Sequence, residues 1–164
     1  MISLNPFKQL PIYTPEVLDL YRAKGSRGQK PHVFGIADDA FRQMNANNGV
    51  SQSAIISGES GAGKTEATKL FLRYITECSA LDGAGGGGEE NPLNDKLLEL
   101  SPLMEAFGNA KTTRNDNSSL FGKWTEVSFK ASHLVGGEVA TYLLEKCRVV
   151  GQQDNERNYH VFCG

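Results

Sequence analysis

The stretch Gly58-Glu59-Ser60-Gly61-Ala62-Gly63-Lys64-Thr65 matches the pattern G-x-x-x-x-G-K-[ST], and its reading decides the fold class. Glycines permit tight turns, so that successive backbone N–H groups converge on an anion. In such a loop the lysine, here Lys64, brings a cation to the β- and γ-phosphates, and the Thr65 hydroxyl is a ligand for Mg²⁺. The four fixed positions would co-occur by chance in a chain this long about once in a hundred. The flanks agree with the motif. Ser53-Ala54-Ile55-Ile56 reads as a buried strand entering the loop, and helical periodicity leaves it. The pattern implies a site for a nucleoside triphosphate.

The bulk numbers narrow the class without choosing within it. With 164 residues the chain fits one domain with a real core, and 39% hydrophobic with 22% charged residues is ordinary for a soluble protein. A net charge of −2 without long single-sign runs gives no reason to expect a nucleic-acid partner. Residues 1–13 lack the apolar run of a signal peptide, and no transmembrane segment is expected. Cys78, Cys147 and Cys163 are too widely spaced to suggest a disulfide framework or metal site. His32, His133 and His160 are equally scattered and read as structural or surface residues. The expected location is the reducing cytoplasm.

Working outward from the loop, Ala67, Leu70, Phe71, Tyr74, Ile75 and Cys78 recur at helical spacing and mark the core face of a helix. Residues 82–90, glycine-rich, read as a flexible surface loop. Upstream, Thr14 is expected to cap a short helix starting at Pro15 and reaching Arg22. Val33, Ile36, Ala37, Ala40, Phe41 and Met44 predict a second helix, ending at Asn47-Asn48-Gly49. Downstream, residues 93–100 predict a short amphipathic helix, and Ser101-Pro102 a second one ending near Gly108. Residues 124–129 alternate, with Thr125, Val127 and Phe129 on one face, and Gly136-Gly137 reads as a two-residue hairpin turn. A closing helix is expected from Asn155 through Tyr159, Phe162 and Cys163, with its apolar face still open, as though the chain were cut at Gly164. Strand, phosphate loop, helix and later strands argue an α/β fold of the P-loop NTPase type: a twisted sheet flanked by helices, incomplete as it stands.

A phosphate loop alone does not choose a function. Asn115-Asp116-Asn117-Ser118-Ser119-Leu120-Phe121-Gly122-Lys123 adds a run of short hydroxyl and amide side chains, able to ligate Mg²⁺ or bind phosphate and water. The same run also suits a solvated turn.

Together these stretches carry a resemblance. Residues 59–66 resemble the phosphate loop of myosin heads, and Asn115-Asp116-Asn117-Ser118-Ser119 resembles their switch I. Agreement extends to Asn5-Pro6-Phe7-Lys8, Leu10-Pro11-Ile12-Tyr13, residues 103–112, Leu143-Leu144-Glu145-Lys146 and residues 156–162. Kinesins share the chemistry but not these flanks. The resemblance implies a purine loop over residues 5–13, the phosphate loop over 58–65, a variable surface loop over 82–90 and switch I over 113–123. It implies a purine pocket from Asn5, Pro6, Lys8 and Tyr13, with Glu66 at its edge. The backbone around Gly58, Glu59, Ser60, Gly61, Ala62, Gly63 and Lys64 would wrap the phosphates of ATP, with Thr65 and Ser119 on Mg²⁺. Asn115 would reach the phosphates and Ser118 would stand beside the attacking water. The intact parent would be an ATPase and a motor on actin filaments in the cytoskeleton, with light chains or calmodulin as possible partners. This piece alone would lack turnover.

Two departures stand out. The family's arginine after the second switch serine, which pairs with a switch II carboxylate, is replaced by Leu120. No Asp-x-x-Gly-Phe-Glu pattern for switch II occurs, so that element, the actin-binding surface, relay helix, converter and light-chain segment are expected beyond Gly164. Three readings follow: an ATP-driven motor, an ATP-holding tether with slow hydrolysis because of Leu120, and an unrelated phosphate-loop kinase. The matches outside the phosphate loop disfavour the kinase.

Overall fold

Pro15 opens the first helix, α1 (Pro15–Lys24), from the first-turn position, where a missing N–H costs no hydrogen bond. The computed structural model describes residues 1–46, 49–81 and 92–163. The expected glycine-rich surface loop and the Asn47-Asn48 stop signal lie outside the described residues. Thr14 is extended but makes no side-chain cap bond. Its hydroxyl bonds instead to the Glu16 carboxylate, which lowers that acid's pKa. The helix runs past the expected end at Arg22, until Gly25 donates its N–H to the Tyr21 carbonyl at 2.8 Å.

Contacts gather in two compact units. The first comprises Met1–Gly58, Ala62–Glu90 and Phe129–Leu134; the second comprises Glu59–Gly61, Asn91–Ser128 and Val135–Gly164.

In the first unit, α2 (Val33–Ala46) packs on α1 and on α3 (Lys64–Leu81). The C-terminal half of the predicted α3 stripe is core, with Tyr74, Ile75 and Cys78 buried; Ala67, Leu70 and Phe71 are half-buried, and Leu72, Thr76 and Ser79 off the stripe are buried as well. That of α2 is rotated from expectation: Phe34, Ala37, Asp38 and Phe41 are buried at i, i+3, i+4 and i+7, whereas Ile36 is exposed. A buried carboxylate needs partners. Asp38 accepts a hydrogen bond from the Tyr74 hydroxyl at 2.9 Å and an ion-paired one from Arg42 at 2.6 Å. Burial first, then Cys78 and Asp38 nearby, push the Tyr74 pKa far up, so the phenol stays a donor.

The second unit is built on α4 (Pro92–Gly108), which runs directly into β1 (Asn109–Ala110). The expected break at Ser101-Pro102 does not occur. Pro102 removes one helical hydrogen bond. It lies on the exposed side, where the freed carbonyl can turn to solvent. β1 pairs antiparallel with β2 (Ser118–Ser119), matching Asn109 with Ser119 and Ala110 with Ser118. Gly108 is required by close approach, because a Cβ there would lie 2.3 Å from the Phe121 ring.

β3 (Gly122–Lys130) and β4 (His133–Tyr142) form a second two-stranded sheet. Thr125, Val127 and Phe129 occupy the less exposed face of β3, as their alternation predicts. The turn does not fall at Gly136-Gly137, which lies inside β4. It falls at Ala131-Ser132, both at positive φ (49° and 67°). The hairpin tip is anchored to α2 and α3: Phe129 meets the Phe41 ring at 5.8 Å, and the Leu134 N–H donates to Ser79 Oγ at 2.6 Å.

Two further expectations are not met. Ser53-Ala54-Ile55-Ile56 is not a buried strand; Ile55 is 90% exposed. A buried strand needs neighbours for its N–H and C=O groups, and none pairs with it among the described residues. The closing helix is absent as well. Asn155 has φ 68°, Tyr159 forms an antiparallel bridge with Ala110, and only a 3-10 turn, His160–Phe162, follows. Helices with small antiparallel sheets thus make up the described residues, consistent with α/β.

Tyr74→Phe is expected to lower the unfolding free energy in urea by about 1–2 kcal/mol, since Asp38 keeps Arg42 but loses a buried hydrogen bond. Asp38→Ala should cost more than Tyr74→Phe, because it leaves a buried phenol without its acceptor.

Candidate functional site

Gly61 and Gly63 of the phosphate loop lie at φ 80° and 89°, a region that side-chain-bearing residues rarely enter. The loop runs straight into the N-terminus of α3, an 18-residue helix beginning at Lys64. Unpaired N–H groups and the helix dipole at such an end favour an anion. In the first unit the Lys64 ammonium donates to the Gly58 carbonyl at 2.7 Å. Ala62 is exposed and Thr65 half-buried. The Glu66 carboxylate pairs with Lys69 at 3.1 Å on the helix surface.

Ser60 and Gly61 belong to the second unit, as does Glu59, and there they meet the polar segment. Ser60 Oγ lies 2.8 Å from Ser118 Oγ, and an added Cβ on Gly61 would lie 3.6 Å from Asn115 Nδ2. The segment is folded by its own side chains. Asn115 Oδ1 accepts the Asn117 N–H at 3.0 Å, and the Thr112 N–H donates to the Asn115 carbonyl at 2.9 Å. Thr112 Oγ1 meets Ser118 Oγ at 2.8 Å, while Asn109 Nδ2 donates to Asn117 Oδ1 at 2.9 Å. These are local bonds of the kind by which short polar side chains compete with regular structure. The run Asn115–Ser119 is therefore held by internal hydrogen bonds, with Asp116, Asn117 and Ser119 exposed.

Strand alternation then separates the two serines: Ser118 is buried and Ser119 exposed. Leu120 is half-buried and its backbone is fixed at both groups. Its N–H donates to the Gly108 carbonyl, and its carbonyl accepts the Glu145 N–H, each at 3.0 Å.

The purine-loop residues are in the first unit. Asn5 Oδ1 accepts the Phe7 N–H at 2.9 Å, and Pro6 and Lys8 are exposed. The Tyr13 ring packs on His32 (centroids 5.2 Å) and Phe34 (6.1 Å). His32 is the latch here. Its Nε2 bonds to the Ile12 carbonyl at 2.9 Å and its Nδ1 accepts the Phe34 N–H at 3.0 Å. These partners assign the neutral Nε2–H tautomer. Burial lowers the His32 pKa, and the bond to Ile12 opposes that only in part.

The structure thus joins Ser60 and Gly61 to Asn115 and Ser118, and joins Lys64 to Gly58. It seats Tyr13 against His32 and leaves Ser119 and Lys8 exposed. Thr112, which links Asn115 to Ser118, and Glu156 were legible only as parts of matching stretches, and Arg148 carried no chemical signal in sequence.

A glycine-rich loop at positive φ runs here into a helix N-terminus, a geometry that favours an anion. This chain belongs to the myosin head (motor domain) family, whose profile matches residues 1–164. Over 163 residues it is 48% identical to unconventional myosin-Vb of Homo sapiens, 49% to myosin-1 of Neurospora crassa, and 48% to the non-muscle myosin-2 heavy chain of Acanthamoeba castellanii. Each alignment covers 99% of this chain but only 8%, 13% and 10% of the respective relative. The chain spans about a tenth of the length of the curated relatives it matches. No helix among the described residues is long and apolar enough to cross a membrane.

A histidine whose folded pKa is depressed below 6.5 contributes stability above that pH and loses it as pH falls. Unfolding free energy should therefore decline from pH 7 toward pH 5, and His32→Gln should flatten that decline. An unchanged slope in the variant would exclude His32 as its source.

Proposed function

We propose that this chain is the ATP-binding part of an actin-based motor, one that couples MgATP hydrolysis to force on actin. The whole-chain match to the myosin head, with the phosphate loop leading into α3, carries the reading. The twisted central sheet expected of the class, the actin filament and any light chains or calmodulin belong to the parent, and its place is the actin cytoskeleton.

The donor set suits a nucleotide with its metal. Positive-φ glycines at a helix N-terminus leave room and N–H groups for phosphate, and the φ of 80° at Gly61 is one that side-chain-bearing residues rarely adopt. In this proposal the N–H groups from Gly58 to Lys64 and the Lys64 ammonium hold and orient the phosphates. Asn115 donates its amide to them, and Ser118 stands beside the attacking water. Asn5, Pro6, Lys8 and Tyr13 flank the purine, with Glu66 beside it. Thr65 and Ser119 would hold Mg²⁺, which when bound neutralises charge on the β- and γ-phosphates. Hydrolysis in such a site rests on positioning and charge stabilisation rather than on covalent work by the protein.

Leu120 favours a second reading, a tether that binds ATP and actin with slow hydrolysis. A leucine on this fixed backbone leaves the parent's switch II carboxylate without a cationic partner, a loss of about 3–5 kcal/mol for a buried pair.

Steady-state MgATP turnover by the intact parent, with and without actin, decides between them. Leu120→Arg should raise turnover by about a hundredfold to a few thousandfold if the missing pair limits closure. Fast actin-stimulated turnover by the unmodified parent removes the tether. Lys64→Ala should abolish MgATP binding; a parent that binds no MgATP sinks both readings.

A further inference from the structure

The guanidinium of Arg148 is almost fully buried, at 5% exposure, in the 3-10 turn Lys146–Val149 of the second unit. A cation so placed needs anions and acceptors around it. Its Nη2 faces the Glu145 carboxylate at 3.2 Å and that of Glu156 at 3.0 Å, and its Nη1 donates to the Arg157 carbonyl at 3.1 Å. The Glu156 side chain is itself only 9% exposed.

What surrounds Arg148 also grips the polar segment. Asn155, at positive φ, and the Glu156 N–H bond to the Gln153 carbonyl (3.0 Å) reverse the chain. Glu156 and Arg157 then both face residues 111–113. Glu156 Oε1 accepts the Thr113 N–H at 3.3 Å, and the Arg157 N–H donates to the Lys111 carbonyl at 3.1 Å. These two bonds bracket Thr112, whose hydroxyl holds Ser118, which in turn meets Ser60. Polar contacts, joined through the backbone of residues 111–113, lead from a buried cation to Ser60.

We infer that Arg148 is a positioning residue: through Glu156 it fixes the backbone of residues 111–113, and so the depth at which the Ser118 hydroxyl meets Ser60. The inference rests on the reading of this site as an ATPase and adds to it a residue that touches neither nucleotide nor metal. A purely structural role would weaken binding and cleavage together, because the whole unit would loosen. Positioning weakens cleavage selectively.

The test uses the intact parent with Arg148→Met, Arg148→Lys and Glu156→Ala. Single-turnover cleavage of bound MgATP should fall about twentyfold in Arg148→Met and Glu156→Ala. The MgATP Kd should stay within about threefold, and Arg148→Lys should restore part of the rate. Adding Ser118→Ala to Glu156→Ala should change cleavage by less than about twofold, since both act through one hydroxyl. Should Arg148→Met fail to fold, Glu156→Ala alone decides. Equal losses in Kd and cleavage, no loss of cleavage, or a full further loss from Ser118→Ala would each overturn the inference. Amide exchange provides an arm independent of nucleotide: in Glu156→Ala, residues 112–118 should exchange about tenfold faster while α2 is unchanged. Equal exchange overturns the inference whatever the kinetics give. A wild-type parent that binds no MgATP defeats the ATPase reading instead, and exchange then decides the present one.

Discussion

Ser118 is a hydroxyl buried to 4% exposure, and a polar group so placed must find partners within the protein. It finds three: Ser60 of the phosphate loop, Thr112 and the Asn115 carbonyl. Several contacts of the second unit converge on it. The β1–β2 pair sets its depth, the Asn115 turn closes the chain behind it, and Arg157 and Glu156 hold Thr112 from the far side. Replacing one partner strands the others, so the group behaves as a unit rather than as a sum of separate bonds.

The first unit is organised by a parallel constraint. A carboxylate in the middle of a helix–helix contact would be intolerable alone. With Tyr74 and Arg42 donating to it, Asp38 fixes how α2 and α3 turn their faces to one another. The rings of Tyr13, His32, Phe34 and Tyr74 then form a continuous apolar path from the N-terminal segment to that contact. In this way an irregular segment, residues 5–13, is tied to a helix pair without secondary structure of its own.

What could be read in the sequence was what depends on neighbours in the chain. The C-terminal half of the α3 stripe, the β3 alternation, Pro15 at a helix start and the positive-φ glycines before α3 are local patterns that appear as expected. What could not be read depends on distant partners. The rotation of α2 rests on a tyrosine 36 residues away. The exposure of residues 53–56 turns on strand partners, and the fate of residues 155–163 on a bridge from Tyr159 to Ala110. In the site, the residue types of the phosphate loop and switch segment were legible, while the contact between Ser60 and Ser118 across 58 positions was not.

The turn at Ala131-Ser132 illustrates a choice made from outside the hairpin. Left-handed backbone costs a non-glycine residue about 1–2 kcal/mol, and the chain adopts it twice here. A glycine pair that would form a hairpin turn more cheaply lies a few residues on, at Gly136-Gly137. The dearer turn prevails because only it brings Phe129 to Phe41 and the Leu134 N–H to Ser79. Those partners exist once α2 and α3 have docked. The docked helix pair thus supplies the contacts that offset the cost of this turn.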